Sequence, residues 1–326
     1  MKLKLSLISW EYPRTTPIMN GSVQPEGIEL VPTKSFPSDT FWRAFRFNEF
    51  DVSEMSLASY IIAKSRDQAP WLGIPVFPCR NFFYTHVICN QNIKGPKDLK
   101  GKKFGLPEYQ MTAAVWFRGI LQEHYGVSPE DIQWYQERSD DRIPINLPSN
   151  VSLQRVPQET NLHRMLLDGQ LDAVLYLPVR SLIDRSTLEL HNNPAVRHLF
   201  LDRKAEEIRF FKETGIFPAN HMIVIKEELV KEYPWVPLNV FMAFEEAKRI
   251  ATQGNYDYSF VSAPHVVWQN EALDEQAKIF GKDTYPYGLK ANRKMVDKIA
   301  EYCYRQGLAK RKVEPEEMFA KDTLEL

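Results

Sequence analysis

Leu3, Leu5 and Leu7 alternate with Lys2, Lys4 and Ser6, and this period of two predicts a strand over residues 3–9. Prolines at 13 and 17 interrupt the next stretch, so a loop is expected at the end of that strand. After the turn signal Pro25-Glu26-Gly27, residues 28–32 read as a second strand. The period then lengthens. Phe41, Trp42, Ala44, Phe45 and Phe47 follow Ser38-Asp39-Thr40 at helical spacing; residues 51–55 form a short strand, and Leu57, Tyr60, Ile61 and Ile62 follow Ser56 as another helix. The same order returns at 102–106, where a strand runs into Pro107-Glu108-Tyr109-Gln110-Met111-Thr112. Ala114, Val115, Phe117, Ile120 and Leu121 then continue as a helix to Gly126.

Further strands are expected at 74–79, 82–90, 132–135, 171–177 and 222–225, and helices at 161–167, 236–251 and 294–306, with a last short helix from Pro315. Residues 137–158 are polar, proline-bearing and read as irregular. Strands alternating with helices argue for parallel α/β sheets, and 326 residues are enough for two lobes. The expected division places 1–100 and 218–326 in one lobe and 101–217 in the other, with two hinge crossings and a ligand cleft between.

Composition adds mostly exclusions. A net charge of −1 gives no field to recruit nucleic acid or an acidic membrane, so any anion must be held by local groups. The start lacks the apolar region and cleavage site of a signal peptide and no run reaches the length of a membrane span, which reads as a cytoplasmic protein. Cys79, Cys89 and Cys303 include no C-x-x-C pair, and each is expected as a small buried hydrophobe. No metal site or cofactor is expected, and the sequence leaves room for a homo-oligomer. Three polar helix starts, at Thr40, Ser56 and Thr112, offer unpaired backbone N–H groups suited to a carboxylate.

Several stretches go further: Phe41-Trp42-Arg43-Ala44, the segment 49–56, Gly73-Ile74-Pro75-Val76-Phe77-Pro78-Cys79-Arg80, Leu106-Pro107-Glu108-Tyr109-Gln110-Met111-Thr112-Ala113-Ala114, Thr214-Gly215-Ile216-Phe217-Pro218, and Tyr285-Pro286-Tyr287-Gly288 with Asn292-Arg293. Together they resemble the 4,5-dihydroxyphthalate decarboxylase family, over nearly the whole chain. The resemblance implies a type 2 periplasmic-binding-protein-like fold and cofactor-independent loss of carbon dioxide from a hydroxylated aromatic acid. One departure stands out: the family pattern carries an Arg-His pair after the phenylalanine matching Phe82, and Phe83-Tyr84 stands there in this chain. The alternative is a small-carboxylate binding protein or sensor without catalysis.

Decarboxylation by ring protonation needs cations or helix starts for the carboxylate that stays, a base near the phenol and an acid near the ring carbon. For binding, Arg14 and Arg80 lie in loops at strand ends, where open α/β sheets take ligands, although each could equally be a structural strut. Thr40, Ser56 and Thr112 join them, Tyr109 and Tyr287 are placed to stack on an aromatic ring, and Arg293 could bind or pair with an acid. For proton transfer the candidates are Glu108, His221, Glu54 and His86. His163, His191 and His198 show no metal-ligand spacing and are expected at the surface.

Overall fold

The computed structural model describes residues 2–138, 142–177, 183–253 and 267–326. The N-terminal alternation becomes β1 (Leu3–Ser9), which leads through the one-turn α1 (Thr16–Met19) to β2 (Ile28–Lys34). After α2 (Pro37–Phe47), β3 (Val52–Ser56) runs straight into α3 (Leu57–Lys64), and β4 (Trp71–Ile74) closes the unit. β1 lies between β2 and β3, parallel to both, with Leu3 opposite Ile28 and Leu7 opposite Val52.

The chain then builds a second sheet from β5 (Val87–Asn90), β6 (Lys103–Leu106), β7 (Gln133–Gln136), β8 (Ser152–Arg155), β9 (Ala173–Leu175) and β10 (Val196–His198), in the order β10-β5-β9-β6-β7-β8. Two helices punctuate it, α4 (Thr112–Ile120) and α5 (Leu162–Leu167), the latter capped by the Asn161 side chain accepting from the Arg164 N–H at 2.9 Å. α6 (Arg203–Thr214) leads back, and β11 (His221–Lys226) inserts antiparallel between β3 and β4 of the first sheet. The remainder is helical: α7 (Glu227–Glu232), α8 (Val236–Thr252), α9 (Gln269–Phe280), α10 (Leu289–Arg305) and α11 (Pro315–Met318). No described helix is long and apolar enough to cross a membrane.

The two crossings between the sheets lie side by side, for Arg80 bridges Ala219 and the Asn220 N–H donates to the Cys79 carbonyl at 2.8 Å. The first crossing therefore falls near residue 80, not near 100. Residues 82–90 are β-forming in either sheet, and only the pairing of β5 with β9 and β10 assigns them to the second. β8 lies inside the stretch expected to be irregular, and α6, α9 and β10 have no counterpart in the sequence reading.

One apolar core runs through both lobes. Met55, Ile61 and Phe77 belong to the same cluster as Phe104, Trp116 and Trp134. All nine residues of α4 are buried, because it is packed between α3 and α10. Thr112 is the first residue of α4, not its cap, and its hydroxyl accepts from the Ala58 N–H of α3 at 3.0 Å. An unpaired helix-start donor of one lobe is thereby satisfied from the other. Gly119 allows the close approach of α10, since a Cβ there would sit 2.3 Å from the Tyr302 ring. Gly119→Ala is expected to destabilise the fold by about 1–3 kcal/mol, overpacking outweighing the gain in helix propensity, and chemical denaturation would measure the loss.

Candidate active site

Six strand ends meet at one place. The carboxyl ends of β1, β3, β7 and β9 and the amino ends of the antiparallel β5 and β11 carry Trp10, Ser56, Arg138, Leu177, His86 and His221 to the wall of a cavity of about 600 Å³. Open α/β sheets bind ligands outside their carboxyl ends, where neighbouring connections leave in opposite directions. β1, flanked by β2 and β3, and β6, flanked by β9 and β7, provide that point in each sheet. Part of the wall is aromatic: Trp10 stacks on Phe36 at 4.6 Å, and Phe41 meets the His221 ring edge-on at 4.8 Å. A planar ring fits such a slot.

Behind the wall, the Glu54 carboxylate is fully buried and fully engaged. Its Oε2 accepts from Ser9 Oγ at 2.9 Å and the Trp10 N–H at 2.8 Å; its Oε1 accepts from the Tyr12 hydroxyl at 2.7 Å and lies 2.6 Å from His221 Nδ1. Burial favours the neutral acid, yet His221, the Trp10 amide and the Tyr12 hydroxyl outweigh it and lower the Glu54 pKa. Burial likewise pulls against a charged His221, but Cys79 and Glu54 prevail and push its pKa up to about 10. His221 is thus an imidazolium at neutral pH, with Nδ1 held by Glu54 and the side chain 15% exposed toward the cavity. His86 shows the opposite: burial, helped by Arg203, His191 and His198, brings it down to about 4, so it is neutral.

Three arginines complete the wall. Arg138 donates to Asp184 Oδ1 from Nε at 2.7 Å and from Nη2 at 2.5 Å, and Nη2 also donates to Ser38 Oγ of α2 at 3.0 Å. Arg142 pairs with the fully buried Glu108, whose Oε2 also lies 3.6 Å from Arg138 Nη1. Arg203, the first residue of α6, makes no close ion pair with any described residue, and Glu207 one turn on is an acid that its charge acts on. Its helix packs against the segment 83–85, where Phe83 lines the cavity and the buried Tyr84 donates to Glu206 Oε1 at 3.1 Å.

Of the residues singled out in the sequence, His221, His86, Ser56 and Thr112 line the cavity, and Glu54 stands directly behind His221. Ser56 and Thr112 commit their hydroxyls to each other at 3.0 Å, so they link the lobes and do not form an open anion site. The others lie elsewhere. Arg14 donates to the Pro78 carbonyl at 2.9 Å and covers the Tyr285 ring at 3.6 Å; Arg80 donates to the carbonyls of Phe217 and Pro286 beside the crossing. Both are struts. Thr40 is buried inside α2, which starts three residues earlier at Pro37. Tyr109 is buried under the Arg118 guanidinium at 3.6 Å, and Tyr287 is buried beneath Lys248 at 4.6 Å. Arg293 is a surface residue paired with Glu316 at 2.5 Å. Glu108 is committed to its arginines and is not placed to move a proton.

Sequence reasoning missed Arg138, Arg142 and Arg203. The first two fall in the stretch read as irregular, and the third opens a helix whose apolar spacing is weak. His163 was expected at the surface and is buried, tilted against Tyr176 at 5.2 Å. Cys79, expected as a small buried hydrophobe, is buried and lines the cavity.

Two α/β lobes closing on a cation-bearing cavity define a periplasmic-binding-protein-like fold, and solved structures agree. The periplasmic aliphatic sulphonate binding protein SsuA from Escherichia coli matches with a TM-score of 0.53 over 98% of this chain and 92% of its own, at 13% identity. The alkanesulfonate-binding protein SsuA from Xanthomonas axonopodis pv. citri matches equally, at 12% identity over 96% and 95%. No protein-family model matches the chain. The 4,5-dihydroxyphthalate decarboxylase of Comamonas testosteroni is 33% identical over 99% of this chain and 98% of its own length; that of Pseudomonas putida is 37% identical over 53% and 70%. The chain belongs to the 4,5-dihydroxyphthalate decarboxylase family, a family of carboxy-lyases.

Proposed function

We propose that this chain decarboxylates a hydroxylated, phthalate-like acid in the interlobe cavity without a cofactor, with His221 as the proton donor. The observation that carries the reading is the place of His221 at the wall of an aromatic slot, its Nδ1 2.6 Å from buried Glu54, a pairing that favours the imidazolium. Arg203, which forms no close ion pair among the described residues although its charge reaches Glu207 one turn on, is the cation that takes the carboxylate retained in the product. Arg138 and Arg142, already neutralised by Asp184 and Glu108, add a polar wall without a second bare charge.

Proton transfers and bond cleavage then divide among these groups. His86, neutral because it is buried, accepts the phenol proton, and the phenolate pushes electron density into the ring. The His221 imidazolium delivers a proton to the ring carbon bearing the departing carboxylate. Carbon dioxide leaves without the bonding pair, which restores the aromatic ring, and His86 returns its proton to the phenolate. One proton from solvent recharges His221 in each cycle. Glu54 serves as the positioning residue: it fixes the ring and keeps the imidazolium charged.

Incubation with 4,5-dihydroxyphthalate and a panel of hydroxylated benzoates and phthalates should release carbon dioxide from at least the first. Binding of these acids without any release would replace the enzyme by a binding protein. Arg203→Ala should weaken binding of unreactive phthalate by roughly 10- to 100-fold, the worth of a charge-assisted hydrogen bond, as read by calorimetry. Arg14→Ala, outside the cavity, should leave that affinity unchanged.

A further inference from the structure

Tyr12 stands in the cavity wall next to His221 and takes no part in the proton transfers assigned to His221 and His86. The turn that follows β1 wraps the Glu54 carboxylate. Ser9 and Trp10 supply both donors to Oε2, and Tyr12 reaches round to Oε1 with its hydroxyl at 2.7 Å. The turn itself is tied, since the Tyr12 N–H donates to Thr15 Oγ1 at 2.9 Å and its carbonyl accepts from the N–H groups of Thr15 and Thr16 at 2.8 and 2.9 Å. Oε1 is also the oxygen that holds His221 Nδ1 at 2.6 Å, and the Tyr12 oxygen lies 3.2 Å from that nitrogen. A nitrogen that gives its proton to the carboxylate cannot accept from the phenol, so the two groups are donors side by side on one oxygen. Burial, then Cys79 and Glu54, keep the phenol protonated well above its usual range, and it stays a donor.

We propose that Tyr12 is a positioning residue for proton delivery: it divides Glu54 Oε1 between two donors, so that the carboxylate holds the His221 ring without gripping its charge too tightly, a role that rests on His221 being the proton donor. A carboxylate that already accepts several hydrogen bonds is a weaker base than a bare one. Removing the phenol would concentrate the Glu54 charge on Nδ1, stabilise the imidazolium and make its Nε2 proton harder to give. Glu54 therefore charges the acid, and Tyr12 keeps that acid strong. The two act in opposite directions. The other titratable groups around His221 are Cys79 at the crossing and, in the rest of the cavity wall, His86, His191, Arg138, Arg142 and Arg203. Tyr12→Phe removes the charge of none of them.

Tyr12→Phe keeps the ring in the wall and deletes only the hydroxyl. Its kcat on 4,5-dihydroxyphthalate should fall about three- to tenfold, with phthalate affinity by calorimetry within about twofold of the wild type, and the upper limb of the kcat profile should move up by about half to one pH unit. Nitrogen-15 histidine spectra, with His221 assigned by its absence in His221→Gln, should place the Nδ1 proton further downfield in Tyr12→Phe. Glu54→Gln should move the His221 titration down, and adding Tyr12→Phe should move it no further, because the shared oxygen no longer carries a charge. A packing role would lower kcat and leave both the titration and the proton resonance where they were. A titration that stays or moves down in Tyr12→Phe overturns the proposal, as does a further shift in the double variant. Normal kcat beside the expected shifts overturns the part in proton delivery. Should Tyr12→Phe fail to fold, the wild-type spectrum at neutral pH decides: an Nδ1 that carries a hydrogen-bonded proton bears out the shared oxygen, and one without a proton overturns it. The expected shifts in a chain that releases no carbon dioxide uphold the shared oxygen and overturn the proposed reaction.

Discussion

Replacing His221 by Gln should cut turnover by about a hundredfold or more while leaving the affinity for phthalate within about tenfold, because the proton donor is lost and the carboxylate clamp is not. The same residue sets the pH profile of the wild type. His221 stays charged until about pH 10 and His86 stays neutral down to about pH 4, so turnover should hold a broad plateau, falling above the first value and below the second. Stability has a different slope. The folded pKa of His221 lies above the value of about 6.5 for an unfolded histidine, so its contribution is complete below that value and fades as pH rises toward about 10. Denaturation midpoints measured across that range should drop for the wild type and stay flatter for His221→Gln.

Glu108→Ala should produce the largest loss of stability, about 3–5 kcal/mol, because it takes the paired carboxylate from the buried Arg142. Arg138 and Arg142 are only 7% and 5% exposed at the side chain, and Glu108 is completely buried. Arg138 would keep Asp184, at 2.5 Å, and Arg142 would be left with the more diffuse attraction of the same Asp184. Denaturant titration measures the cost. A phthalate titration on the same variant should show weaker binding, since Arg142 would be released to move in the wall that receives the ring.

The strands were legible because their signal is local. Leu3, Leu5 and Leu7 alternate whatever lies beside them, and Leu57 to Ile62 and Ala114 to Ile120 repeat at helical spacing. Which sheet a strand joins is decided by partners far along the chain, and residues 82–90 went to the wrong side for that reason. His221 and Glu54 could be nominated separately, one at a strand start and one within a strand, but not as a pair, since 167 positions separate them. The arginines show the limit most plainly. Arg14 and Arg80 occupy loops at strand ends as ligand-binding residues do, and yet their guanidiniums turn to backbone carbonyls at the crossing. Arg203 has no sequence mark beyond the Asp202 that caps its helix. Direction of a side chain is a tertiary fact.

The Thr112 hydroxyl that caps α3 from the opposite lobe bears on how this cavity is loaded. A solute receptor works as a jaw, and its lobes must part along a wet seam. Here the seam is closely packed: α4 lies wholly in the interior, and Trp116 donates its ring N–H to the Ala219 carbonyl at 3.0 Å beside the crossing. Prising the lobes apart would uncover that helix and leave the Ala58 N–H of α3 without its acceptor, a cost paid on every cycle. The molecule is better suited to act as a fixed vessel than as a jaw, with substrate entering by its mouth and the amide of Ala58 exchanging with solvent only when the whole fold opens.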